Sequence, residues 1–241
     1  MTWRWLICFS VAACAGDAAA GAVAATVTGQ VELTNSHEPA VRRHNDYSGV
    51  VLWLAPVDRA APVPAAARRF EMKQHNKQFV PHVLAIPVGA TVDFPNLDPI
   101  FHNAFSNFSG QPFDVGLYPP GTSQSVAFKT PGIVRVFCHI HSTMSAIIAV
   151  LPTPWYTLTP ESGRFTIANV PPGEYDLHIF HERALPDNLK FLEHRIAVPE
   201  NGLALPLISI SETGFLPAPH LNKYGQPYPP ASGAGIYLGG K

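Results

Sequence analysis

The sequence predicts an all-β protein made of two small sandwiches, and three observations carry that expectation. Short apolar or alternating runs recur along the 241 residues, Pro (25) and Gly (18) punctuate them, and no stretch of residues 68–151 has a convincing helical period. The length exceeds what one small domain needs and suits two. Apolar residues make up 46% of the chain, ample for packed cores, while charged residues make up 14%. A formal net charge of -1 gives no basis for binding nucleic acid or an anionic membrane surface.

The chain opens in the manner of an export leader. Arg4 supplies a positive n-region, residues 5–15 form a short apolar core, and Ala18, Ala19, Ala20, Gly21 and Ala22 follow. This run is too short to span a bilayer, so residues 1–24 read as a signal peptide cleaved between Ala20 and Ala25. A second reading exists: Val11-Ala12-Ala13-Cys14 resembles a bacterial lipobox, which would make Cys14 a lipid anchor. The protein is accordingly expected to be periplasmic or otherwise exported, or else a membrane-anchored lipoprotein. Cys8 is lost in both cases and Cys14 is lost or lipidated, so Cys138 is the one cysteine of the folded part. An unpaired thiol in an oxidising compartment needs protection, and a metal bond would give it. The alternative is an inert cysteine packed as a small hydrophobe.

Residues 26–57 read as the first strands of one sandwich: 26–33 alternate with β-branched residues, 50–54 are apolar, and a polar loop (35–48) lies between. Residues 58–68, rich in Ala and Pro, read as a linker. Residues 69–151 are a run of strands and turns. Strand 83–88, the turn Gly89-Ala90 and strand 91–94 come first; 123–129 alternates; Pro131-Gly132 turns into 133–138; and 146–151 is wholly apolar, as in a sheet buried on both sides. Strand-and-turn grammar continues over 152–210. Residues 211–241, rich in Pro, Gly and Tyr, should lie extended on the surface or be mobile.

The informative stretch is Val136-Phe137-Cys138-His139-Ile140-His141-Ser142-Thr143-Met144. It sets Cys, His and Met at C-x-x-H-x-x-M on a tight turn between two strands. By alternation Val134, Val136 and Cys138 share the core face, while Ile133, Arg135, Phe137 and His139 face the other way. The turn can then bring His141 and Met144 over the sulfur. His102, just past an apolar strand, offers a fourth donor. Two imidazoles and a thiolate with a weak thioether suit copper. The bland reading makes Cys138 a core residue and His102 a loop histidine. His37, His44, His75 and His82 read as ordinary polar residues, and His178, His181 and His194 carry no assigned role.

With these residues in view, 69–151 resembles a cupredoxin of the plastocyanin/amicyanin group. The ligand-loop spacing is similar to that of amicyanin, and Asn96-x-Asp98 before His102-Asn103 resembles that group. The resemblance implies a Greek-key β-sandwich with one copper ion, cycling between Cu(I) and Cu(II), at one end. It also implies that the Asn103 amide bonds the cysteine sulfur and that its side chain ties the two ligand loops together. Binuclear copper needs two cysteines, and multicopper oxidases need further histidines, one of them just before the cysteine, where Phe137 stands.

Gly163-Arg164-Phe165, followed by Pro171-Pro172-Gly173-Glu174-Tyr175, resembles a carboxypeptidase regulatory-like (transthyretin-type) sandwich. Its usual opening, Gly-x-Val and an apolar strand, lies far upstream as Gly29-Gln30-Val31 and residues 51–54. The expected architecture is therefore a cupredoxin sandwich inserted in, or flanked by, a second small sandwich, with 152–210 completing what 26–57 begins. The expected function is one-electron transfer to or from another periplasmic redox protein, with no enzymatic activity. His141 would be the partly exposed ligand, ringed by Ile140, Phe105 and Phe108. The rival is a copper carrier, chaperone or adaptor whose partner is a copper-handling protein.

Overall fold

Alternation along the chain translates directly into strands. The computed structural model describes residues 24–62, 68–107, 110–217 and 219–228. The expected leader with Cys14, the middle of the linker, Phe108 and the end of the tail thus lie outside the described residues, Ala24 excepted. In chain order the elements begin with β1 (Ala25–Thr34), α1 (Pro39–His44) and β2 (Val51–Pro56). There follow β3 (Arg69–Glu71), β4 (Lys73–His75), β5 (Gln78–Val80), β6 (Val83–Pro87) and β7 (Thr91–Pro95). Next come β8 (Phe105–Ser106), β9 (Phe113–Asp114), β10 (Ser123–Ala127), β11 (Gly132–Phe137) and β12 (Ser145–Leu151). The chain continues with β13 (Tyr156–Leu158), β14 (Arg164–Val170), β15 (Gly173–Phe180), α2 (Pro186–Lys190), β16 (His194–Val198), β17 (Leu203–Ala204) and β18 (Ile208–Ser211). The two helices are short and lie outside residues 68–151. Each begins on a Pro, and α1 stops at Asn45, whose left-handed backbone (φ 53°) lets its N–H bond the Val41 carbonyl. Turns of five or six residues are too short to display a period. No helix among the described residues is long and apolar enough to cross a membrane.

The first two strands find their partners far along the chain. β1 pairs antiparallel with β14 and parallel with β17 and β18. β2 lies between β13 and β15, and β16 completes that sheet. The two sheets enclose one core, which includes Val27, Val31, Leu52, Leu54, Trp155, Phe165, Tyr175, Leu177 and Ile210. Gly163 precedes β14 with φ +69°, and a Cβ there would strike the Val31 carbonyl, so only glycine allows this approach.

The intervening chain builds a second core from the five-stranded order β6-β12-β11-β8-β9, the three-stranded order β10-β7-β3 and the β4-β5 hairpin. Ile86, Val92, Phe94, Phe128, Val134, Val136, Ile148 and Val150 fill it, and Cys138 and Met144 lie at its end. β12 is buried on both faces. Ala146, Ile148 and Val150 enter this core, while Ile147, Ala149 and Leu151 pack with Val51, Trp53, Tyr156 and Phe180 of the other sandwich. The all-apolar run 146–151 within β12 therefore reflects two different cores, one on each face. At the rim of this junction His82 and Glu182 are joined at 2.8 Å.

Candidate metal centre

β11 delivers Cys138 by simple parity. Val134, Val136 and Cys138 are buried on one face, and Phe137 points to the other. The chain then turns tightly: Met144 N–H bonds the His141 carbonyl (3.1 Å), and Cys138 N–H bonds the Met144 carbonyl (3.2 Å). Cys138 and Met144 are fully buried and His141 is half-buried.

His102 reaches the same place from the loop after β7. Its backbone exchanges two hydrogen bonds with Tyr118 (3.2 and 2.9 Å), which anchors the residue within the loop. Its Nε2–H donates to Asp98 Oδ2 at 2.8 Å. Asp98 in turn accepts the backbone N–H of Asn76 on Oδ1 (2.6 Å) and of Lys77 on Oδ2 (2.8 Å). Burial works against the Asp98 charge, but the Lys77 amide, the His102 ring and the Asn76 amide overcome it and hold the carboxyl below its ordinary value. With Nε2 engaged in this way, His102 presents Nδ1 to the site.

Three donors converge there. His102 Nδ1 and His141 Nδ1 are 3.1 Å apart, and Cys138 Sγ lies 3.9 Å from the first and 3.6 Å from the second. Burial, with the nearby His102, pushes His141 down to about 4, so its ring is neutral at pH 7. Burial pushes the Cys138 thiol up, and the backbone N–H groups of Ile140, Asn103 and His141 pull in the opposite direction by facing the sulfur. Two ring nitrogens facing each other beside a sulfur are reconciled by one shared cation. Donors held about 2.0–2.3 Å from one ion lie about 3–4 Å from each other, the range found here. His102, Cys138 and His141 are accordingly a group that could hold a metal ion, with the buried Met144 nearby. The donor set, two imidazoles, a thiol and a thioether, is chemically suited to copper.

Asn103 is fully buried between the two loops. Its Oδ1 accepts the His139 N–H (3.3 Å), and its Nδ2 donates to Asp114 Oδ1 (2.7 Å) and the Gly116 carbonyl (2.9 Å). Phe105 corrects the expected apolar rim. It lies in β8, is 1% exposed and packs against Phe137, so it cannot ring an exposed His141. Leu97, Phe101 and Leu117, the chain neighbours of Asp98, His102 and Tyr118, are exposed. Sequence reasoning also missed Asp98 as the partner of His102. Its place four residues upstream, in the Asn-x-Asp segment, is the only local signal for it.

No family model matches the chain. Methylamine utilization protein MauL of Methylorubrum extorquens is 34% identical over 80 residues, covering 33% of this chain and 70% of that protein. The chain belongs to the MauL family. Solved structures similar to this MauL-family chain include a purple cupredoxin from Nitrosopumilus maritimus (23% identity, TM-score 0.31, 35% of this chain and 99% of that one). A reduced Cu(I) form of an amicyanin variant is similar at 17% identity and TM-score 0.34, over 42% of this chain and 98% of that one. A Cu-containing nitrite reductase from Thermus scotoductus SA-01 is similar at 26% identity and TM-score 0.33, over 50% of this chain, which spans only 28% of that enzyme.

Proposed function

We propose that this MauL-family protein is an exported type 1 copper protein that exchanges single electrons with another exported redox protein. In this reading residues 69–151 are the cupredoxin domain. Residues 26–57 and 152–210 form a carboxypeptidase regulatory-like sandwich that it interrupts, 58–68 link the two and 211–241 are a tail. Residues 1–24 direct export, with a lipid anchor at Cys14 as the alternative. His102, Cys138, His141 and Met144 would hold one copper ion, which supplies the one-electron chemistry when bound.

The observation that carries the proposal is the convergence of His102, Cys138 and His141 from two separate loops onto one point. Each residue has a definable part. Asp98 orients His102, the three backbone amides favour the thiolate, and Asn103 fixes the spacing of the two loops. Burial of His102, Cys138 and Met144 would limit the access of water and substrate to a bound ion, which supports a carrier of electrons over an enzyme. The same burial favours retention of the ion over its delivery to a client. His141, half-buried where His102, Cys138 and Met144 are fully buried, is the natural point of electron entry and exit.

The test is addition of one equivalent of Cu(II) to the mature protein and to Cys138→Ser. An intense thiolate-to-copper band with narrow copper hyperfine splitting, lost in the variant, is expected. A pale tetragonal signal indifferent to the substitution would refute the reading.

A further inference from the structure

Beyond β18 of one sandwich, the C-terminal segment 219–228 closes on the ligand turn of the other. It is folded by its own sequence. Asn222 Oδ1 accepts the N–H of Tyr224 (2.9 Å) and of Gln226 (3.1 Å), and Gly225, at φ +73°, bonds back to the Asn222 carbonyl (2.9 Å). This compact turn lays four side chains on the metal-bearing domain. Tyr228 Oη donates to the carbonyl of Cys138 at 2.6 Å. His220 Nδ1–H donates to Tyr228 Oη at 3.2 Å, while its ring stacks on Phe137 at 4.2 Å. Tyr224 meets the His139 ring edge-on at 5.1 Å. Lys223 Nζ donates to Asp114 Oδ2 at 2.8 Å, on the carboxylate whose other oxygen holds Asn103.

The contacts thus fall on three consecutive residues, Phe137, Cys138 and His139, and on the support of the opposite loop. A phenol bonded to the Cys138 carbonyl, itself bonded by an imidazole, forms a short polarised chain ending on the backbone of the thiol residue. We propose that segment 219–228 is a clasp on the ligand turn, with Tyr228 the positioning residue that keeps the turn around Cys138 closed. The clasp ties the second sandwich to the metal centre through a segment remote in sequence. Its effect on metal retention rests on the copper reading above, whereas its effect on Cys138 does not.

The experiment uses the full mature chain with Tyr228→Phe, which keeps the ring and removes only the hydroxyl, with Lys223→Met, and with both. The metal-free proteins are alkylated with iodoacetamide and the rate is read by mass on the Cys138 peptide. The copper-loaded proteins are challenged with a strong chelator, and the urea midpoint of each is measured as a control for global stability. Loss of one such hydrogen bond should speed alkylation about five-fold in Tyr228→Phe, and loss of the exposed ion pair about two-fold in Lys223→Met. The urea midpoints should stay close to that of the unaltered protein. Copper release should accelerate in parallel. Alkylation at the unaltered rate in all three variants would overturn the clasp. Faster alkylation in a protein that shows no copper–thiolate band would uphold the clasp while refuting the copper reading.

Discussion

Asp98→Asn is a one-atom change with a definable consequence at the metal centre. The carboxylate uses both oxygens: Oδ1 takes the Asn76 amide, and Oδ2 takes the Lys77 amide and the His102 Nε2–H. An asparagine has one oxygen. If it stays with Asn76, its NH2 group faces the Lys77 and His102 donors, donor against donor. Losing a charge-assisted pairing in a buried site costs about 2–3 kcal/mol of stability. The imidazole can escape the clash by moving its proton to Nδ1, the atom aimed at Cys138 and His141. That proton must leave before a metal can bind, so Cu(II) affinity should fall about 10- to 100-fold, or about 1.4–2.7 kcal/mol. Competition titration against a chelator measures the affinity. Nitrogen-15 imidazole shifts of the metal-free protein report the tautomer independently. Unchanged affinity together with a proton still on Nε2 in the variant would refute the reasoning.

Three further outcomes follow from β12 and the junction beside it. Ile147 is 2% exposed and faces the junction, so Ile147→Ala should cost about 2–5 kcal/mol in urea unfolding and leave the copper band unchanged. Ile148→Ala, one residue along on the inner face, should cost as much and broaden that band. The His82–Glu182 pair should make the junction pH-sensitive. The Glu182 bond raises His82 above its ordinary 6.5, so its contribution is complete below 6.5 and fades as pH rises through the raised value. Burial opposes the Glu182 charge, but His82 holds its carboxyl below 4.5, so that contribution is complete above 4.5 and fades as pH falls through the lowered value. The pair is therefore strongest between 4.5 and 6.5. With His82 half exposed the effect is modest, and His82→Gln should flatten the change in urea midpoint between about pH 5.5 and 8.

What could be read from the sequence was whatever is local. Alternation around Val27 to Leu33, and around Val134 to Cys138, gives strand and face together, because the period of a strand is two residues. Cys138, His141 and Met144 stand out because one turn carries all three. His102 needed chemistry, a missing imidazole for a soft-donor set, rather than pattern. Asp98 was invisible as its partner because its three donors come from Asn76, Lys77 and His102, brought together only by the β4-β5 turn. Phe105 was misplaced because β8 is two residues long and offers no alternation to read. In the tail, Tyr, Lys and His among Pro and Gly look solvated, and nothing local shows that Tyr228 meets a residue 90 positions upstream.

The pairing of β2 with β13 sets Trp53 opposite Tyr156 and Val51 opposite Leu158, so the roughly 100 residues between them begin and end at neighbouring points. A floppy loop of that length would have to be closed against an entropy of about 4–5 kcal/mol before these strands could meet. The intervening unit, once folded, brings its own ends together and removes most of that burden. Whatever stabilises it, a bound ion included, should then be felt as raised stability in strands that never approach the ion.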